Sequence, residues 1–417
     1  MSNIRPFKAI HYNTEKLKDL SKLVSPPYDI ISEEEQGVLQ STSQYNFTHI
    51  DLPAEGPGDD KYSRARKIFD DWQAKGILVQ DETPAFYFYR QEYKMMGQKY
   101  SRFGFIGALE LSNEGESKIY PHENTHAHAV DDRFKLTKAL AAQLSCIFVC
   151  FCDRQKVVEN IFNKKVYMTA PMIEAQDIEG ASHKLWKVSD PALIKEIQEA
   201  MKGEQIFIAD GHHRFKMAGE YRNMRLSKEP NAKGDAPYNY VMTYFTNIDS
   251  KDLKIFPMHR IIKSMPKSMA NIEEFFRIDK IKDKDDLLVI LAQAGKNENA
   301  FGLYTREGIK LFRLKNKMLI DSVVKEGSKD YKMLDAVILK YFVFDKIGIK
   351  SDDILYTKDM DSAIRSVDKH ETDAVFILNP VKVSQLKAIA LNGEKMPPKT
   401  TYFYPKVLSG LTVYKID

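Results

Sequence analysis

Apolar and polar positions change period repeatedly along the 417 residues, and each change predicts an element. AFYFYRQEY (Ala85 to Tyr93) and RFGFIGALEL (Arg102 to Leu111) read as paired strands joined by a turn near Met96 and Gly97. SCIFVCFC (Ser145 to Cys152), Ile206 to Ala209 and YNYVMTYFTNI (Tyr238 to Ile248) are apolar runs too short for core helices, which predicts buried strands. LKIFPMHRII, Leu253 to Ile262, is a further extended segment. Helical spacing covers Lys61 to Gly76, with Ala65, Ile68 and Trp72 as core candidates and a glycine stop. It recurs behind Asp131 and Asp132, which are expected to serve a positive helix end, with Phe134, Leu136, Leu140 and Leu144 as the apolar face. Pro191 to Lys202 is a third helix, and Phe215, Ala218 and Tyr221 begin a fourth. Between them lie rigid or polar loops: SPPYDIIS at Ser25 to Ser32, GPGDD at Gly56 to Asp60, and the proline-led stretch Met396 to Leu411.

Strands and helices in this mixture predict an α/β (α+β) fold. After about Lys263 the composition shifts towards lysine-rich helices and short strands. The expected domains are therefore 1–100, 101–263 and 264–417. Hydrophobic residues at 43% and charged residues at 29% describe an ordinary globular protein. A net charge of +4, without a polybasic block, gives no reason to expect nucleic acid as a partner. The N-terminal MSNIRPFKAIHYN lacks the apolar core of a signal peptide, and no run approaches membrane-spanning length, so a cytoplasmic protein is expected. Cys146, Cys150 and Cys152 alternate onto one strand face; buried, reduced thiols are expected there rather than a metal site.

The densest polar chemistry follows the run Ile206 to Ala209: Asp210, Gly211, His212, His213 and Arg214. A glycine at a strand-to-helix turn lets a ligand approach the backbone, and the first N–H groups of a helix attract anions. Arg214 adds a fork of donors that matches phosphate oxygens. Asp210 at the carboxyl end of a strand sits where open sheets bind ligands, although helix capping would also explain it. His122, Glu123 and His126 satisfy H-E-x-x-H, which opens a metal-dependent hydrolase as an alternative. That pattern needs a helix, and Ile119 to Pro121 read as a strand end, with Asn124 and Thr125 poor helix formers. A looped His122-Glu123 followed by Thr125 would instead present a carboxylate to a substrate hydroxyl. His126 and His128 read as solvated loop residues. Asp132 and Arg133 pair with each other or with site groups, and His259 and Arg260 reach a phosphate or form a surface link. Lys399 and Lys406 stand in a rigid aromatic setting that raises them above ordinary surface lysines.

PPYDII, HENT, DDRF, HKLW, IADGHHRF, FPMHR and MPPKTTYFYPK, in this order from about Pro26 to Gly410, closely resemble the bacterial family called domain of unknown function 1015. The resemblance implies a central ParB/sulfiredoxin-like nucleotide-binding domain with N- and C-terminal α/β additions. In that superfamily a G-x-x-R turn holds nucleotide phosphates, which maps onto Gly211, His212, His213 and Arg214. Sulfiredoxin carries a cysteine after the glycine; His212 stands here, so sulfinic-acid reduction is not expected. The likeness of Asp210-Gly211-His212 to the motif of the free-serine kinase implies a phosphotransferase. Its substrates would be ATP or ADP and a small hydroxyl amino acid, with Mg2+ as cofactor. The implied roles are Glu123 as base, Asp210 as metal ligand or second base, and His212 as a catalytic group. Gly211, His213, Arg214, Arg133, Lys399 and Lys406 would bind phosphate, and His122, Thr125, Tyr28 and Asp29 the acceptor. A ParB-like nucleotide switch without transfer is the alternative, and a homodimer the expected self-association.

Overall fold

The computed structural model describes residues 3–54, 60–95, 97–111, 118–229, 234–266, 269 and 272–417. Met96 of the expected turn and residues 56–59 of the expected loop lie outside them. The chain is a mixed α/β protein that divides into two compact units. The first comprises Met1–Pro121, Thr125–Lys254 and Pro405–Asp417; the second comprises His122–Asn124 and Ile255–Tyr404. This differs from a partition at residues 100 and 263. Tyr87 pairs with Ile106 and Met95 with Gln98, so a cut at 100 would sever a hairpin.

In the first unit the strands in chain order are β1 (Ile4–Arg5), β2 (Ala9–Tyr12), β3 (Leu78–Gln80), β4 (Phe86–Met95), β5 (Gln98–Glu110) and β6 (Ile119–Tyr120). They continue with β7 (Ala142–Gln143), β8 (Ile147–Phe151), β9 (Ile173–Gln176), β10 (Ser182–Val188), β11 (Ile206–Asp210), β12 (Tyr240–Asn247) and β13 (Val413–Lys415). The helices are α1 (Glu33–Thr42), α2 (Thr48–Asp51), α3 (Lys61–Ala74), α4 (Ala127–Leu140), α5 (Val157–Ile161), α6 (Pro191–Met201) and α7 (His212–Lys228). The main sheet runs β6-β11-β8-β12-β5-β4-β10-β9, with β1 beside β5. In this sheet, among the described residues, only β6 with β11 and β8 with β12 pair in parallel. β12 and β8 are buried along nearly their whole length, which is why they read as unbroken apolar runs rather than alternating ones. Phe86, Phe88, Phe105, Val149, Ile208 and Phe245 of the sheet form one core with Trp186, Ile197 and Met201. Each large side chain buried in this way contributes roughly 1.5–3 kcal/mol.

Asp60 caps α3 by accepting from the N–H groups of Tyr62 and Ser63. Its buried stripe is Ala65, Phe69 and Trp72, so Phe69 takes the place expected for Ile68. Helix α4 starts earlier than its polar residues suggest, at Ala127 with His126 as N-cap, and has no acid in its first turn. Asp131 and Asp132 therefore do not serve its positive end. Its buried stripe is Val130, Arg133, Leu136, Thr137 and Leu140, and Leu144 falls beyond the helix. H-E-x-x-H precedes α4 and is not helical, so it lacks the one-turn histidine spacing of a zinc protease. The three cysteines are free thiols; Cys146 and Cys150 are buried, and burial pushes both up to about 12. Among the described residues no helix is long and apolar enough to cross a membrane.

The second unit is built on a six-stranded antiparallel sheet in the order 276–281, 308–314, 300–305, 374–378, 259–262, 354–357. Helices Lys284–Ala294 and Met360–Asp368 cover it, packing Leu287, Leu291, Ala363 and Val367 against Leu311, Val375 and Ile377.

Candidate functional site

The apolar run Ile206–Ala209 buries β11 and delivers Asp210 to its end. Gly211 then adopts φ 88, a left-handed conformation that L side chains rarely take, and α7 starts at once with His212. A Cβ there would lie 3.1 Å from both Arg214 Nε and Ile147 Cα, so the turn is closed to other residues by space as well as by dihedral. Because the turn is tight, Arg214 folds back over it. One Nη donates to the Cys146 carbonyl, and the other reaches Asp210 Oδ2 at 2.8 Å. Lys406 Nζ donates to the second oxygen, Oδ1, at 2.6 Å. The Asp210, Lys406 and Arg214 side chains are only 18, 10 and 6% exposed.

A second ionic layer adjoins the first. Arg133, on the buried stripe of α4, lies 3.3 Å from Asp51 and 2.5 Å from Asp132, and its guanidinium stacks 4.0 Å from the Tyr28 ring centroid. Asp51 also accepts from Ser409 Oγ at 2.9 Å, and Lys61 holds Asp132 at 2.8 Å. A small cavity is lined by Asp51, Arg133, Thr137, Ser145, Arg214 and Met217. Burial pushes the Asp210 carboxyl up, but Lys406, Arg214 and His212 outweigh it and hold it well below the usual carboxylate range. Asp132 is likewise brought down to about 2, burial being overcome chiefly by Arg133. At Asp51 burial prevails over Arg133 and Ser409, and the carboxyl is raised. Tyr28 is pushed up by burial and then by Asp29.

Of the residues expected at the site, Tyr28, Arg133, Asp210, Gly211, Arg214 and Lys406 come together in this ionic network of the first unit. Asp29 is exposed and acts on Arg214 through its charge. His213 Nε2 accepts from the His126 N–H at 3.0 Å, and the two rings stack; His212 is buried. Thr125 belongs to the first unit; His122, Glu123 and Lys399 belong to the second. Within that unit the buried His122 accepts a backbone bond from Met396 at 2.7 Å, and Lys399 is exposed with φ 53. Asp210 does not fit a resident Mg2+, since both its oxygens are held by cations. Among the described residues no group of three or more His, Cys, Asp or Glu side chains is placed to hold a metal.

Asp51, Lys61 and Ser409 complete the network but carry no motif. A signal for Asp51 exists: an acid between Ile50 and Leu52 in an apolar stretch is unlike a solvated one. HKLW proves structural, because His183 is wholly buried between the Tyr89 hydroxyl at 2.5 Å and Asp177 at 3.0 Å.

The sequence model of the family described as "protein of unknown function (DUF1015)" matches residues 4–337. No curated protein matches the chain. A solved structure of a free serine kinase in complex with AMP aligns with 69% of this chain and 83% of its own, at 16% identity and TM-score 0.35. A conserved hypothetical protein from Pyrococcus furiosus covers 70% and 89%, at 15% identity and TM-score 0.32. SbnI with a C-terminal truncation, from Staphylococcus aureus, covers 73% and 85%, at 10% identity and TM-score 0.37.

Proposed function

We propose, from the premise that this chain belongs to the DUF1015 family of proteins of unknown function, that it is a phosphotransferase carrying phosphate from ATP or ADP to the hydroxyl of free L-serine. The observation that carries the reading is the pairing of two largely buried cations, Arg214 and Lys406, on one carboxylate beside a left-handed glycine turn. An incoming phosphate offers the same cations more oxygens and more charge than Asp210 does, so it competes for them directly. Gly211 gives the phosphates access to the backbone, and the first N–H groups of α7 point where negative charge collects. Phosphoryl transfer asks for little else than such positioning and charge stabilisation.

In this reading the serine hydroxyl attacks the terminal phosphorus, the bond to the bridging oxygen breaks, and the nucleotide leaves as ADP or AMP. The hydroxyl proton passes to a carboxylate base, the role that the family resemblance implies for Glu123. Asp210, ionised at neutral pH, orients Lys406 and Arg214. His213 and Arg133 extend the phosphate contacts. Thr125, Tyr28 and Asp29 are assigned to the acceptor. Mg2+ belongs with the nucleotide phosphates, and no step depends on it. The acceptor is assigned from the likeness of Asp210-Gly211-His212 to the serine-kinase motif. The engagement of both Asp210 oxygens favours one second reading, a nucleotide-bound switch in the manner of ParB that transfers nothing.

Incubating the full chain with ATP or ADP and a panel of hydroxyl amino acids, with products followed by mass, separates the two. Phosphoserine is expected, and Lys406→Ala should slow its formation about 100-fold or more. Tight nucleotide binding with no phosphorylated product from any acceptor would establish the switch instead.

A further inference from the structure

The second unit contains a cavity that the phosphotransfer reading does not use, of about 140 Å³. A cavity of this order has room for one small molecule about the size of benzene. Arg260 of the FPMHR stretch lines it and is only 4% exposed. Its guanidinium donates to the Met258 carbonyl and lies 5.4 Å from the Tyr356 ring centroid, but it forms no ion pair among the described residues. Asp335 acts on it through its charge without pairing with it, and a buried charge held in no ion pair costs several kcal/mol, so a protein that keeps one has a use for it.

Two more polar groups lining the same cavity are buried and unsatisfied: Asn299 Oδ1, an acceptor, and Asn379 Nδ2, a donor. The Asn299 amide cannot simply be turned over. Its Nδ2 donates to the Met333 carbonyl at 2.8 Å and to Asp335 Oδ1 at 2.7 Å, which fixes Oδ1 as the atom left over. Exposed Lys296, Lys317 and Lys382 stand at the cavity as well, while Asp335 contributes a half-buried carboxyl.

These groups define the ligand by what each lacks. Arg260 and Asn379 Nδ2 call for an oxyanion. Asn299 Oδ1 and Asp335 call for a donor, and a bare phosphate or carboxylate would leave the first unsatisfied while crowding the second with like charge. A zwitterion meets both demands. We infer that this cavity is a binding site for a free α-amino acid, with its carboxylate on Arg260 and its ammonium group on Asn299 Oδ1 and Asp335. The site is distinct from the phosphotransfer reading, because none of the residues named has a role in that reading and all of them belong to the second unit.

Titrating the standard amino acids and inorganic phosphate into the full chain, by calorimetry and by shift of the unfolding temperature, tests this directly. At least one amino acid should bind the parent chain. Arg260→Met should abolish that binding while leaving the empty protein as stable as before or more so, since it removes a buried charge held in no ion pair. A purely structural Arg260 would give the opposite, a lower unfolding temperature. Arg260→Lys keeps the charge without the fork and should bind about tenfold more weakly or worse. Lys406→Ala, in the first unit, should bind as the parent does. Absence of binding by any amino acid, binding that survives Arg260→Met, or Arg260-dependent protection by phosphate alone would each overturn the assignment.

Discussion

The network around Asp210 and the cavity around Arg260 are both built from buried charge, yet only the first is internally neutralised. Lys61, Arg133, Arg214 and Lys406 each have a carboxylate within 3.3 Å. Arg260 has none among the described residues, and Asp335 is bonded to Asn299 instead. In the first arrangement the ion pairs help hold the empty protein together, and a ligand must displace one of them. In the second Arg260 and Asp335 act on each other through their charges but form no ion pair, so a ligand adds the direct partner that is missing. Buried arginines alone therefore do not distinguish a structural network from an open site; the partners do.

Breaking the first arrangement should have the largest effect. Asp210→Ala leaves Arg214 and Lys406 buried without a counter-charge, which costs about 3–5 kcal/mol. Trp72 and Trp186, the two tryptophans of the sequence, both belong to the first unit, so their fluorescence reads that unit's unfolding in urea. A large drop in the fluorescence midpoint is expected. An unchanged midpoint would mean that the pairs contribute nothing, and the contrast with Arg260 would vanish.

Titration sharpens the comparison next, because the two units respond to different pH ranges. Asp210 and Asp132 have depressed carboxyls, so their stabilisation is present at neutral pH and is lost as pH falls below about 4. In the second unit burial raises Asp335 to about 7 against the pull of Asn299, Lys382, Arg260 and Lys317. The folded state then binds the extra proton between about pH 4 and 7, and stability falls as pH rises through that window. His259 does the reverse. Burial, then Arg260, lowers it to about 4 against Asp359, so stability rises as pH climbs from about 4 to 6.5. Each slope is on the order of 3 kcal/mol and they nearly cancel. His259→Asn, whose amide oxygen can replace the Nδ1 acceptor for the Leu378 N–H, should expose the falling slope; Asp335→Asn should expose the rising one. Circular dichroism in the part of the unfolding transition that tryptophan fluorescence does not follow would show both. Parallel slopes in the two variants would contradict the opposed burial of the two groups.

Local structure was legible where one force dominated. The apolar run at Ile206–Ala209 could only be a buried strand, and Gly211 marked the turn that brings Arg214 back over Asp210. A helix boundary set by weak competing preferences was not legible: α4 begins at Ala127, four residues before the acids that suggested its start. Nor was long-range closure. Pro405–Asp417 returns to the first unit, where residues 413–415 pair with β2 and β7 and Lys406 and Ser409 meet carboxylates, and nothing local in that segment announces it. Arg260 was visible only as a basic residue after Pro257 that would reach a phosphate or form a surface link, because what makes it unusual is the absence of an ion-pair partner, which is a property of packing.

The smallest expected effect tests whether burial, rather than charge, makes the network. Asp131 and Asp132 are neighbours on α4 and each pairs with a lysine: Asp131 with Lys135 at 2.6 Å, Asp132 with Lys61 at 2.8 Å. The first pair is more than half exposed on both sides and one helical turn apart. Such pairs are screened and lose side-chain entropy, so Asp131→Asn should change stability by less than about 0.5 kcal/mol and leave phosphoserine formation unchanged. Asp132 also holds Arg133 and accepts from the Tyr62 hydroxyl at 2.9 Å, so Asp132→Asn should cost measurably more in the same fluorescence assay. Equal losses in the two variants would mean that net charge on α4 matters and the buried partners do not. A loss confined to Asp132 would show that one residue's step around a helix turns a solvated acid into part of an ionic network.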